Sequence, residues 1–168
     1  VPNDERIVIP FVNKAGDLVA AQGRSLSGSK NAIRYITVKF CKDGRAIYGE
    51  DRLDYSRRVY AVEGPIDSVF LDNSIALAGC ELAHATKLFS DCVIVYDNEP
   101  RNTEIVAKVQ EAISAGYTVC VWSDSVDEKD INDMVLAGRT PQEVQKLIDE
   151  CSCSGLVAHA RFSQWRMR

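Results

Sequence analysis

From residue 57 onward the chain alternates short apolar runs with longer segments of helical period. Val59-Tyr60-Ala61-Val62 and Cys92-Val93-Ile94-Val95-Tyr96 are nearly continuous apolar runs, as in strands buried on both faces. Residues 74–79 and 118–122 read the same way. Between them the pattern predicts helices over 65–71, 81–88, 102–115, 130–136 and 141–150. In the longest of these, Ile105, Val106, Val109, Ala112 and Ile113 recur on one face, and Gly116 ends it. A closing strand is predicted over 156–162. Strands alternating with helices argue for an α/β fold, a parallel sheet covered by helices.

The first third has another rhythm. Residues 7–12 and 18–24 form two strand-like runs around turn chemistry at Asn13–Asp17, and Pro10 marks an edge or a bulge. A Ser/Gly-rich loop follows, then a half-buried strand at 34–40, a turn at 42–45 and a short run at 46–49. The predicted organisation is a basic β-rich subdomain at 1–56, an α/β domain at 57–150 and a terminal strand and tail at 151–168.

Charge sharpens that division. Residues 1–58 hold eleven Lys/Arg against seven Asp/Glu, residues 59–150 six against seventeen, and residues 151–168 three Arg and no acid. A basic flank beside an acidic core suits an enzyme that binds a polyanion and charges its carboxylates with metal. The six cysteines lack paired zinc-ligand spacing, and Cys80, Cys92 and Cys120 lie in or beside apolar runs. Those features predict a reduced, cytoplasmic protein with no zinc in this stretch. No apolar run is long enough to span a bilayer, so no membrane association is expected.

The acids fall at strand ends. Glu63 closes the first apolar strand before Gly64-Pro65, a tight turn into a helix. Asp97-Asn98-Glu99 closes the second before Pro100, and Asp124, Asp127, Glu128, Asp130 and Asp133 follow the third. Parallel neighbours would bring these carboxyl ends to one rim, where α/β sheets bind ligands. Several acids at one point repel unless cations are bound. Asp67 reads as a helix-capping residue, and His84 and His159 as structural.

Glu63-Gly64-Pro65-Ile66-Asp67-Ser68, Asp97-Asn98-Glu99 and Lys129-Asp130-Ile131-Asn132-Asp133 resemble the three acidic signatures of the Toprim domain. That domain is shared by primases, topoisomerases and some nucleases. Upstream, Ile7–Phe11, Gly23-Arg24, Arg34-Tyr35-Ile36-Thr37 and Ile47-Tyr48-Gly49 resemble the basic subdomain of primase polymerase cores, in wording similar to the separate primases of T-even-like phages. The resemblance runs from about Arg6 to the C-terminal end. It departs at the second signature, usually Asp-x-Asp, where Glu99 reaches one methylene further. It also lacks the zinc-binding domain such primases carry ahead of this core, so a catalytic-core fragment is expected.

The resemblance implies a DNA-dependent RNA polymerase that joins nucleoside triphosphates on single-stranded DNA with Mg²⁺ or Mn²⁺, in partnership with a replicative helicase. It implies catalytic roles for Glu63, Asp97 and Asp130, with Glu99 and Asp133 as further metal ligands. Arg24, Arg34, Lys42, Arg45 and Lys129 are implied as nucleotide or template contacts. Another Toprim enzyme, a nuclease or part of a topoisomerase, is one alternative, and a non-catalytic adaptor for DNA or a helicase is another. The basic upstream segment speaks against a small nuclease, and no tyrosine stands in the setting of a topoisomerase nucleophile.

Overall fold

The structure, a computed structural model, describes residues 4–29, 32–41, 46–77 and 82–168. They form two sheets. β1 (Arg6–Val12), β2 (Leu18–Ser25) and β3 (Tyr35–Lys39) make an antiparallel sheet in that order. The β1–β2 turn closes on Asn13, whose Oδ1 accepts the N–H groups of Ala15 and Asp17, each at 2.9 Å. Pro10, expected to mark an edge or a bulge, lies on the edge strand β1 paired with Ala21, and the register slips just beyond it, between Phe11 and Val12.

The second sheet contains β4 (Ile47–Tyr48), β5 (Val59–Val62), β6 (Ser74–Leu77), β7 (Cys92–Val95), β8 (Thr118–Cys120) and β9 (Ser152–Cys153). Its order is β4-β6-β5-β7-β8-β9. The pairs β5–β6, β5–β7 and β7–β8 are parallel, while β4 and β9 run antiparallel at the two edges. Every residue of β5, β6 and β7 is buried, which is why those segments read as unbroken apolar runs.

The covering helices are α1 (Pro65–Val69), α2 (Ala83–Thr86), α3 (Thr103–Ser114), α4 (Ile131–Leu136), α5 (Pro141–Cys151) and α6 (Gly155–Trp165). Their starts follow local chemistry. Asn102 caps α3 by accepting from the Glu104 N–H at 3.1 Å, and Thr140 and Glu143 form a reciprocal capping box on α5. The expected start of α2 at Glu81 lies outside the described residues.

One element is of the wrong kind in the sequence reading. The strand expected over 156–162 is helix α6. Its buried residues are Ala158, Phe162 and Trp165, spaced by four and three, while Leu156 and Val157 face solvent. The last strand of the chain is instead the two-residue β9. Over such a short, mixed segment, period two and period 3.6 are hard to tell apart.

A small core joins the two sheets. Ile9, Phe11, Val19, Ala20 and Ala46 pack together, with Tyr48 of β4 and Ile66 of α1 against them. The Phe11 and Tyr48 rings meet edge to face at 5.7 Å. The first helix after Glu63 thus touches the main sheet on one side and the N-terminal sheet on the other. Phe11→Ala should empty the centre of this junction and destabilise the protein by ~3–4 kcal/mol, measured by urea unfolding. A loss under about 1 kcal/mol would show that the sheets do not depend on it.

Candidate active site

Three chain segments far apart in sequence meet at the carboxyl ends of β5 and β7. Glu63 follows β5, Asp97 follows β7 by one residue, and Asp130 precedes α4. With Asp67 of α1 they line a cleft of about 250 Å³. Gln22 and Tyr35 of the N-terminal sheet, with Arg34 just before β3, form its other side, and Lys129 stands with the acids.

Local geometry fixes each acid. Asp130 caps α4, its Oδ1 accepting from the Asp133 N–H at 2.8 Å. Asp67 Oδ1 accepts the Asn132 N–H at 3.0 Å, so α1 and α4 are joined through a carboxylate. Gly64 makes room for this: a Cβ there would stand 2.7 Å from Asp67 Oδ2. Glu63 Oε1 is buried with no hydrogen-bond partner. An orphaned, buried carboxylate oxygen is costly unless something positive reaches that group.

The loop of the second acid pair is held by the residue between the acids. Asn98 is 8% exposed, and every polar atom of its side chain is used. Its Nδ2 donates to Val126 O at 2.9 Å and Glu128 O at 3.1 Å, and its Oδ1 accepts from Trp165 Nε1 at 2.9 Å. Its backbone N–H donates to Lys129 O at 2.6 Å. The loop carrying Lys129 and Asp130 is thereby strapped to the loop carrying Asp97 and Glu99.

Electrostatics mark the same cluster. Burial, then the charges of Glu63 and Asp67, push Asp97 up from 3.8 to about 7, with Lys129 opposing. Burial, and then Asp130, raise Asp67 from 3.8 to about 6 against the Asn132 N–H. Burial also raises Glu63. Carboxyls pushed upward together, with an unpaired oxygen among them, fit a site that takes a divalent cation. Among the described residues no three His, Cys, Asp or Glu side chains already stand around a common ion position. Mg²⁺ needs no such cage, since it binds through one or two carboxylates, waters and substrate phosphates.

The other expected residues fall at different distances from the cleft. Glu99 lies beside it, with its Oε2 3.5 Å from Lys129 Nζ and 3.4 Å from Asn102 Nδ2. Asp133 is exposed on the first turn of α4 and does not line the cleft. The guanidinium groups of Arg24 and Arg34 each lie 5.7 Å from the Tyr35 ring centre, and the Arg24 charge reaches Asp67. Lys42 and Arg45 lie outside the described residues. Sequence reasoning missed Asp67 as a lining residue, Gln22 and Tyr35 opposite it, and Asn98 as the clamp. For Asp67 a signal existed: it is the fourth residue after Glu63, in the first turn of α1.

No family model matches the chain. The DNA primase of Enterobacteria phage T4 is 35% identical over 166 residues, 97% of this chain and 48% of the phage protein. The chain therefore spans about half the length of the curated relative it matches. A DNA primase domain from Pseudomonas aeruginosa has the same fold, with a TM-score of 0.68 at 18% identity over 95% of this chain and 54% of that one. A DnaG primase catalytic domain bound to single-stranded DNA gives 0.62 at 16% identity, covering 87% and 51%. The Toprim-type core expected from the acidic signatures is the fold observed.

Two outcomes follow for the rim. Asp97 and Asp67 hold protons in the folded state that the unfolded chain has released, so without divalent cations stability should fall as pH rises from about 4 to about 7 and then level off. Asp97→Asn should flatten that decline and raise stability at pH 8 in EDTA by ~1–2 kcal/mol, read by thermal melting. Asn98→Ala should cost ~2–4 kcal/mol in urea unfolding followed by circular dichroism, because it takes the amide bonds from the Glu128 carbonyl and the Trp165 indole N–H and leaves the Val126 carbonyl only Arg168.

Proposed function

Because the chain is a homologue of the phage T4 DNA primase and folds as a primase catalytic core, we propose that it is the nucleotidyl-transfer unit of a DNA-dependent primase. In this reading it joins ribonucleoside triphosphates into short RNA primers on single-stranded DNA. The observation that carries it is the cleft: four carboxylates from three chain segments face basic and aromatic side chains of a second sheet.

The reaction requires a 3′-hydroxyl to attack an α-phosphorus while pyrophosphate leaves. Both partners are anionic or become so, and the acid rim alone would repel them. Glu63, Asp97 and Asp130 are the residues that would hold Mg²⁺ or Mn²⁺, with Glu99 adjoining and Asp133 one turn further along α4. When bound, the cation supplies charge neutralisation on the phosphates and lowers the pKa of the attacking hydroxyl. Glu63 is the acid of this set nearest the N-terminal subdomain in the chain, and one of its oxygens is buried without a hydrogen-bond partner.

The N-terminal sheet serves the polyanions. Arg34 and Lys129 line the cleft, and Arg24 reaches its edge beside Tyr35. A guanidinium fork suits phosphate, and an ammonium acts there as a point charge. Tyr35 offers an aromatic face on which a base can stack. The DnaG domain solved with single-stranded DNA supports the choice of template.

Glu63→Gln tests the reading. Dinucleotide synthesis on single-stranded DNA with Mg²⁺ should fall at least ~100-fold, while the melting temperature in EDTA stays level or rises. Synthesis kept within twofold would remove Glu63 from the chemistry and, with it, the catalytic reading.

A further inference from the structure

We infer that Lys129 is the resident counter-ion of the acidic rim and competes with the divalent cation for Asp97 and Glu99. The inference rests on the nucleotidyl-transfer reading above and deepens it. Lys129 Nζ lies 3.8 Å from Asp97 Oδ2 and 3.5 Å from Glu99 Oε2, so one ammonium serves both carboxylates of the second signature. Glu99 takes part with a side chain one methylene longer than the usual aspartate.

The backbone and side chain of Lys129 are held very differently. Its carbonyl accepts the Asn98 N–H at 2.6 Å, and the neighbouring Glu128 carbonyl accepts from Asn98 Nδ2 at 3.1 Å. The main chain is thus fixed to the loop it neutralises. The side chain is 45% exposed, and its contacts at 3.5 and 3.8 Å exceed the 2.7–2.9 Å of a tight charge-assisted hydrogen bond. Ion pairs this open hold weakly and exchange readily. The ammonium is tethered yet loosely held.

A divalent cation coordinated by Asp97 and Glu99 would stand within a few ångströms of that ammonium, and like charges at such distance exclude one another. Lys129 must then swing aside on its four-carbon stem. Because it already lines the cleft, it turns toward the space where a triphosphate's negative charge would lie. One side chain therefore damps repulsion among the acids in the empty site and meets phosphate in the filled one.

Two measurements test this. The first is Mn²⁺ titration, with free ion read by electron paramagnetic resonance, on the unaltered chain, Lys129→Met and Lys129→Arg. The Met variant should bind about tenfold more tightly, and the Arg variant like the unaltered chain. Equal or weaker binding by the Met variant overturns the inference while leaving the metal reading intact. No Mn²⁺ binding by any of the three overturns both. The second needs no variant: acetylation of Lys129 by an N-hydroxysuccinimide ester, read by mass spectrometry, should rise several-fold when Mg²⁺ is added. Unchanged labelling with Mg²⁺ bound sinks the competition.

Discussion

Carboxylates brought close inside a fold push one another apart, so a cluster of them survives only where the surrounding backbone is held independently. In this protein the holding is done largely by the amide of Asn98. It bonds to Val126 and Glu128, in the stretch just before the third acidic signature, and to the indole of α6. None of those partners is an acid of the rim. The loop of Asp97 is therefore held against the repulsion of Glu63 and Asp67 partly by neutral hydrogen bonds, which neither titrate nor screen with salt, beside the Lys129 ammonium. This leaves the acids free to respond to charge that arrives from outside.

The same economy appears where the two sheets meet. α1 begins two residues after Glu63 and contributes three different things within one turn and a half. Ile66 packs on the N-terminal core, Asp67 faces the cleft and reaches α4, and Ser68 bonds to Ser74 of β6 at 2.9 Å. Because the helix is so short, these contacts cannot shift separately. The orientation of the basic sheet toward the acids is set by the residue next to Asp67, and the close approach at Gly64 keeps that arrangement tight.

Much of this was readable in the order of residues, for a physical reason. Buried parallel strands must be apolar on both faces, so β5 and β7 announce themselves, and acids at their ends are conspicuous against that background. Helices with caps, such as α3 and α5, are equally plain. Residues 156–162 were misread because short segments with mixed polarity carry little period, and the tertiary position of Trp165 decided the outcome. Asn98 and Asp67 were undervalued for a different reason. What makes each important is a partner distant in sequence: Trp165, 67 residues from Asn98, and Asn132, 65 residues from Asp67. No local pattern encodes such a pairing.

The placement of the indoles has a practical consequence. The chain contains two tryptophans, and both direct their ring N–H to the same short stretch: Trp122 to Tyr96 O at 2.8 Å and Trp165 to Asn98 Oδ1 at 2.9 Å. One precedes Asp97 and the other follows it. Tryptophan emission from this protein thus originates entirely beside the second acid pair, at buried fluorophores whose excited states respond to hydrogen bonding and nearby charge. The molecule carries its own optical probe, so events at the rim can be followed without attaching a dye.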